Sequence, residues 1–289
     1  MARINEFVFL KRDGTRIWLR QGLMENAVLE VLREPDALFA RGECRMIKDQ
    51  RKIRVGRMAL AIGGLSTPVY VKRYNAFSWR YKVLSLFSRS GALRSLRGAV
   101  VLTRIGLQTG KPLAVLELRR WGLLAGSFYI SEEIASGYRA DVYWRDRLRP
   151  LSGVSGFRGR RRFLQDLAGL FQRLHHAGVY HNDLKDANIL VRADGAGRAM
   201  FYLLDLDGVR NCFFLSWRRR VKNLVQLNRT LGQLLRNTEK LYWLEQYLGR
   251  EFENRNVKRR WLRRVLWATR RADQRSLAKK SRANGRGKI

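Results

Sequence analysis

Residues 181–188 read His181-Asn182-Asp183-Leu184-Lys185-Asp186-Ala187-Asn188, in the order H-x-D-x-K-x-x-N. An aspartate at 183 can accept the proton of an attacking hydroxyl. An asparagine five residues on can coordinate a magnesium ion, and Lys185 between them can offset charge on a phosphoryl group in transfer. A second group closes an apolar run, Phe201-Tyr202-Leu203-Leu204-Asp205-Leu206-Asp207-Gly208. Asp205, at the end of that run, offers the anionic oxygen that a hard cation prefers. Asp207 could assist the metal and ranks below Asn188 and Asp205. Taken singly, each of these residues reads as a capping Asp or Asn between a helix and a strand. Their joint order is what speaks for chemistry.

Such residues need elements to hold them. Phe163, Leu164, Leu167, Leu170, Phe171 and Leu174 share one helical face ahead of the loop, and Gly178 stops that helix. Before it the chain loops through Gly153, Gly156 and Gly159. His181 reads as a hydrogen-bonded scaffold residue rather than a base. Upstream, Cys44–Lys48, Ile53–Ile62 and Val69–Arg73 alternate as three strands, with turns at residues 49–52 and 63–68. The third carries Lys72. Helix, loop and strands together resemble the protein-kinase-like fold, with Asn182 where protein kinases usually place Arg. The resemblance implies that Lys72 grips the phosphates of ATP.

Two parts of that pattern are absent. The first two strands carry no G-x-G-x-x-G; their turn is basic, with Lys48, Arg51 and Lys52 in its place. No Asp or Glu occurs from Arg73 to Leu116, so the helix expected at about 91–105 has no acid to pair with Lys72. Further strands are expected at 113–118 and 128–134. The second would be the hinge whose backbone at Glu132, Glu133 and Ile134 meets adenine, although both glutamates read equally well as solvated acids. After Asp207 the chain passes to a helix whose buried face is marked by Leu224, Leu227, Leu231, Leu234 and Leu235. Only 82 residues follow Asp207, and no Ala-Pro-Glu ends a peptide-holding segment. A non-peptide acceptor is favoured.

At the N-terminus, Phe7, Phe9, Ile17 and Leu19 alternate around Asp13-Gly14, a hairpin signal, and a short helix is expected over 22–33. The expected divisions are an N-terminal hairpin and helix at 1–41, an N-lobe at 42–134, a C-lobe at 135–256 and a basic helix with its tail at 257–289. In that last part Trp261, Leu262, Val265, Leu266 and Trp267 alternate with arginines. This suits either an anionic membrane interface or a helix covering the C-lobe. The tail, Ser281–Ile289, is expected to be disordered.

The chain holds 59 Lys+Arg against 24 Asp+Glu, a net charge of +35. Such a surface seeks polyanions: nucleic acid, anionic lipid or a phosphorylated glycolipid. It argues against the acid-lined sites of antibiotic phosphotransferases. Cys44 and Cys212 are the two cysteines, far apart, and three histidines without a fourth ligand make no metal set. No secretory signal is read, and no run approaches the ~18 uncharged apolar residues of a membrane span.

With these residues in view, the chain resembles the lipopolysaccharide core kinases, the group that includes Kdo kinase and the heptose kinases. The likeness runs from about Cys44 to Leu235. It rests on Val69–Tyr74, Gly106–Leu113, His181–Asn188 and Leu203–Asp207, and weakly on Lys222–Arg229. It implies an α+β, two-lobed protein-kinase-like fold, with a small antiparallel β-sheet N-lobe and a mainly helical C-lobe. It also implies ATP and Mg2+ as cofactors, Asp183 and Lys185 as catalytic residues, Lys72, Glu132 and Ile134 for nucleotide, and Asn188 and Asp205 for metal. The acceptor would be a lipopolysaccharide inner-core glycolipid, phosphorylated on a Kdo or heptose hydroxyl. The enzyme would be peripheral at the cytoplasmic side of the bacterial inner membrane, touching anionic lipid through its basic C-terminal helix. The family's helix glutamate would fall near Ser95, and a serine cannot form that ion pair. The rival readings are a kinase of the RIO or tRNA-modification-associated type and a nucleotide-binding pseudokinase scaffold. Nucleic acid is a disfavoured partner that the sequence does not exclude.

Overall fold

In the computed structural model, residues 6–286 are described apart from residue 13 and residues 195–197. Two tight turns set the geometry of the first sheet. Gly63 and Gly64 (φ +58° and +73°) turn β4 (Ile53–Ile62) directly into β5 (Leu65–Asn75). Two successive left-handed residues match the right-handed twist of the flanking strands. The turn therefore takes two residues, and Ser66, Thr67 and Pro68, expected in it, already pair with Ala61, Leu60 and Ala59. Trp121 and Gly122 (φ +48° and +79°) do the same between β6 (Pro112–Arg120) and β7 (Leu123–Glu132), which starts earlier than its apolar pattern indicated.

The described residues up to Ala135, joined by Leu204–Val209, form one compact unit. Ser136–Leu203 and Arg210 onward form a second. The first unit holds a seven-stranded antiparallel sheet. Its hairpin, β1 (Phe7–Arg12) and β2 (Thr15–Arg20), adds to the edge of β6, giving the order β1-β2-β6-β7-β5-β4-β3, with β3 at Arg45–Gln50. The apex residue Asp13 lies outside the described residues. Ile17 and Leu19 of the hairpin, and Val28 and Leu32 of α1 (Asn26–Arg33), share one core with Val69 and Val71. Burying such side chains contributes roughly 1.5–3 kcal/mol each, so hairpin and helix are part of this unit's core.

A short helix, α2 (Trp79–Leu84), and a longer one, α3 (Gly91–Arg104), follow β5. Ser90 caps α3 by accepting from the Leu93 amide (3.1 Å). Gly106 (φ +74°) ends it, with the Leu107 amide turned back to the Leu102 carbonyl; both are standard helix-end solutions for groups that lack an intrahelical partner.

The second unit is mainly helical. β8 (Tyr138–Arg139) and α4 (Ala140–Tyr143) lead to α5 (Gly153–His176). That helix buries the predicted face and ends at Gly178 (φ +68°). It begins at Gly153, so the glycine-rich stretch expected as a loop is its first turns. Gly156 permits this: a Cβ there would lie 2.4 Å from the Leu151 carbonyl oxygen. After β9 (Val179–His181), β10 (Ile189–Ala193) and β11 (Ala199–Leu203) pair in a three-stranded sheet with β8.

The expected leucine-faced helix stops sooner than its pattern. α6 (Trp217–Asn228) gives way to a 3-10 turn at Leu231–Gln233, leaving Leu234 and Leu235 outside it. α7 (Asn237–Leu248) and α8 (Arg255–Arg286) complete the unit. Trp261 of α8 is buried in ring contacts with Trp217 and Tyr247, and Thr269 is buried and bonded to Asn228. Trp261 is thus spent on packing, while Leu266 and Trp267 are exposed. α8 continues through Ser281–Arg286, where disorder was expected; the last three residues of that tail lie outside the described residues.

Candidate active site

In the first unit the chemistry gathers on Lys72. Residues two apart on a strand point to one face, so Lys72 and Tyr74 of β5 project together. Lys72 Nζ donates to Asp205 Oδ1 at 2.5 Å and lies 3.5 Å from Asp207 Oδ1. It also sits 4.9 Å from the centroid of the Tyr74 ring. Burial pulls the lysine pKa down, but Tyr74, Asp205 and Asp207 more than offset it and hold the amine above its ordinary value, fully charged. Burial pushes the Asp207 carboxyl up, against the pull of Lys72. Arg94 of α3 approaches the other side of Asp207 at 3.8 Å.

The missing helix acid is accounted for here. Ser95 is buried and shares a 2.7 Å hydrogen bond with the Tyr74 hydroxyl. The helix position therefore anchors Tyr74, and Tyr74 and Asp207 flank the amine. α3 comes this close because it is built with glycine at two contacts. At Gly91 a Cβ would fall 2.4 Å from the Tyr74 ring, and at Gly98 it would fall 2.3 Å from the Leu206 carbonyl oxygen. Asp205 itself is left-handed (φ 56°, ψ 50°). A non-glycine residue held there costs energy that the surrounding structure must supply, a common feature of functional segments.

In the second unit the loop residues form their own cluster. Lys185 Nζ pairs with Asp183 Oδ2 at 2.7 Å, both side chains being near 40% exposed. Asn188 donates from Nδ2 to the Asp183 carbonyl (2.7 Å) and to Oδ2 (3.2 Å). Its amide oxygen, the atom a hard cation takes, is therefore turned away from Asp183. His181 is fully buried, and its Nδ1 accepts from the Asp183 amide at 3.2 Å, which makes it a brace for the loop.

α6 clamps the backbone of this loop. Asn223 Nδ2 donates to the His181 carbonyl (2.6 Å), Gln226 Nε2 donates to the Asn182 carbonyl (2.7 Å), and Gln226 Oε1 accepts from the Leu184 amide (3.0 Å). Asn223 is held in turn by His175 Nε2 at 3.2 Å, whose Nδ1 meets the Tyr247 hydroxyl at 2.8 Å. Burial drives the His175 pKa down to about 4. Asn223 and Gln226 lie in the stretch Lys222–Arg229 that weakly carried the resemblance, but no role was read for either from sequence, nor for His175 beyond its not belonging to a metal set. The available signal was two amides three apart, hence on one helix face, in an otherwise leucine-lined element.

The expected hinge is tied up internally. The Glu132 amide donates to the Lys111 carbonyl and the Glu133 amide to the Pro68 carbonyl, each at 2.9 Å. Their carboxylates pair with Lys111 and Arg57. Neither amide is spare for adenine, which leaves Ile134 as the other residue named for that contact. The basic β3–β4 turn is pinned by Asn75, which donates to the Arg51 carbonyl at 3.0 Å. An apolar cavity of about 360 Å³ lies among α6, α7 and α8; it is lined by none of the candidate site residues.

Among the described residues no group of three or more His, Cys, Asp or Glu is placed to hold a metal. The first unit offers two carboxylates, Asp205 and Asp207, and the second, taken by itself, the Asn188 amide oxygen. Hard oxygen donors in small number suit magnesium, which keeps waters and phosphate oxygens in its shell. The structure thus brings Lys72, Asp205 and Asp207 together in one unit and Asp183, Lys185 and Asn188 together in the other.

Residues 66–259, two thirds of the chain, match the sequence profile of the Lipopolysaccharide kinase (Kdo/WaaP) family. Three proteins of Xanthomonas campestris pv. campestris (strains B100, 8004 and ATCC 33913), each named 3-deoxy-D-manno-octulosonic acid kinase, are 36% identical over 104 residues. That stretch is 35% of this chain and 39% of each relative, so the match spans about two fifths of the relatives' length. A structure of WaaP in complex with acyl carrier protein is similar with a TM-score of 0.62 at 22% identity, covering 83% of this chain and 91% of that one. The fold is accordingly protein-kinase-like, α+β, with a sheet-based first unit and a helical second.

Proposed function

Because the chain belongs to the lipopolysaccharide kinase (Kdo/WaaP) family, we propose that it transfers the γ-phosphate of ATP to a sugar hydroxyl, Kdo or heptose, of the lipopolysaccharide inner core. The acceptor would be lipid-anchored at the cytoplasmic face of the inner membrane, with the enzyme peripheral there. One observation carries most of the weight. Lys72 stays charged and paired with Asp205 and Asp207 although α3 offers no acid. A degenerate scaffold has no use for a desolvated lysine held this way, and the missing helix acid was the main argument for that reading.

The residues divide the work as follows. Asp183 accepts a hydrogen bond from the acceptor hydroxyl and takes its proton as the new oxygen–phosphorus bond forms and the bond to the leaving nucleoside diphosphate breaks. Lys185, beside Asp183, and Lys72 offset charge on the phosphoryl oxygens. Asn188 and Asp205 would hold magnesium, with Asp207 assisting; the ion supplies neutralisation of the phosphate charge. The α6 amides fix the loop that carries Asp183, and positioning of this kind is where catalysis of phosphoryl transfer mostly resides.

The test is ATP-dependent transfer to purified inner-core lipopolysaccharide, read by mass spectrometry, with Asp183→Ala as control. One added phosphate that disappears in the variant, while nucleotide still binds, is expected. Full activity in Asp183→Ala would refute the assignment of the base. No transfer by the wild type, with nucleotide bound, would turn the reading toward an RNA-associated kinase or a scaffold. The acyl carrier protein of the WaaP structure is a partner to look for in the same preparation by intact mass.

A further inference from the structure

Two neighbouring segments of the first unit carry exposed large apolar side chains that serve neither its core nor the proposed site. One is the segment made of α2 and the residues after it, where Trp79, Val83, Leu84, Leu86 and Phe87 are all exposed, Trp79 by 72% and Phe87 by 88%. The other is the tip of the β6–β7 hairpin, where Trp121 is 98% exposed. The two are joined: α2 packs on β7, and the Leu124 amide, just past the hairpin tip, donates to Ser85 Oγ at 3.3 Å.

Trp121 is the telling residue. It occupies the first of two left-handed turn positions (φ +48°), where Asn, Asp or Gly is favoured and a bulky side chain is strained. Being exposed, it contributes no packing to offset that strain. Such a residue is explained by what it meets outside the molecule.

The charge around it points to the partner. Arg80, Lys82, Arg89 and Arg120 are all exposed within the same stretches, and no Asp or Glu occurs from Arg73 to Leu116. Exposed aromatic side chains with exposed basic residues in the same segments suit a soft anionic surface better than a protein groove. Tryptophan settles at the headgroup level of a bilayer, and basic residues gain from anionic lipid.

We propose that the first unit docks on an anionic lipid bilayer through α2, the segment after it and the β6–β7 tip, with Trp79, Phe87 and Trp121 as interfacial anchors. The inference deepens the proposed function, since it rests on an acceptor held at a bilayer. It moves the principal lipid contact away from α8, whose Trp261 is used in packing.

Sedimentation with vesicles of phosphatidylcholine, with and without phosphatidylglycerol, tests it on the full chain. The wild type binds the anionic vesicles. Phe87→Ser with Trp121→Ser lowers partitioning by at least ~10-fold with an unchanged melting curve, because both side chains are outside the core. Arg80→Gln, Lys82→Gln and Arg89→Gln together remove the preference for phosphatidylglycerol. Leu266→Ser with Trp267→Ser on α8 leaves binding near wild type. Wild-type binding by the Phe87/Trp121 variant would overturn the proposal, as would loss confined to the α8 variant. So would a wild type that ignores vesicles and dimerises through these residues. Vesicle binding lost in the Phe87/Trp121 variant, but no phosphate transfer by the wild type, would sink the functional reading and leave the docking surface standing. Transfer to glycolipid with vesicle binding unaffected in the variant would do the reverse.

Discussion

Replacing Gly98 by alanine should disable the site while leaving the fold nearly intact. The new Cβ would lie 2.3 Å from the Leu206 carbonyl oxygen, 3.1 Å from its carbonyl carbon and 3.2 Å from its Cβ. An ordinary carbon–oxygen approach is ~3.3 Å, so the Leu206 backbone must retreat by about 1 Å. Leu206 sits between Asp205 and Asp207, and both carboxylates move with it. The 2.5 Å pair to Lys72 would open toward the edge of contact. Overpacking costs ~1–3 kcal/mol, and alanine returns up to ~1 kcal/mol of helix propensity. The net loss of ~0–3 kcal/mol lowers Tm by no more than several degrees for a chain of this size. Transfer should suffer far more, because a misplacement of about 1 Å can cost ~100-fold. Gly169→Ala is the control. Nothing lies within 4 Å of its Cβ position, so it should raise Tm slightly and leave activity alone. The assay pairs a melting curve with nucleotide titration, with and without magnesium, and with transfer. A Gly98→Ala protein that binds nucleotide and transfers phosphate like wild type would refute the reasoning. So would one whose loss merely tracks its unfolded fraction.

Two further outcomes follow from the same geometry. Asp207→Asn keeps the shape but removes one of the two charges beside the buried Lys72. Because Asp205 still pairs with the amine, the loss stays below the ~2–5 kcal/mol of a charge left alone. Nucleotide affinity should fall ~10-fold; unchanged affinity would remove Asp207 from the site. His175 is held neutral in the fold with a pKa near 4, against an ordinary value of 6.5. The unfolded chain therefore binds the extra proton first, and stability present above pH 6.5 is lost as pH falls from there toward 4. At pH 5 the loss is about 2 kcal/mol, to be read as a urea midpoint that drops between pH 7.5 and pH 5 by more in the wild type than in His175→Gln.

What the sequence disclosed follows from how local each signal is. The spacing from His181 to Asn188 is dictated by one loop, and the face from Phe163 to Leu174 by one helix, so both could be read directly from the chain. The α5 start and the α6 end could not. Gly156 reads as a loop residue until Leu151 is found against it, and the leucine pattern runs on past Asn228 although the backbone leaves the helix. The hairpin at Phe7–Arg20 was visible, but its place at the edge of β6 depends on a partner about a hundred residues away.

The answer to the missing acid was hidden for the same reason. A search for a partner of Lys72 along α3 finds Ser95 and stops there. Asp207 is 135 residues from Lys72 in sequence, and Tyr74, two residues away, reads from sequence as one more strand aromatic. Only folding shows that Ser95 holds Tyr74, that Gly98 admits the Leu206 turn, and that the turn carries the second carboxylate to the amine. An electrostatic requirement fixes the charge that must stand beside a buried lysine; it does not fix which segment supplies it. Absence of an expected residue at one position is therefore weak grounds for declaring a site dead, and the Gly98 and Asp207 variants test that conclusion by two independent routes.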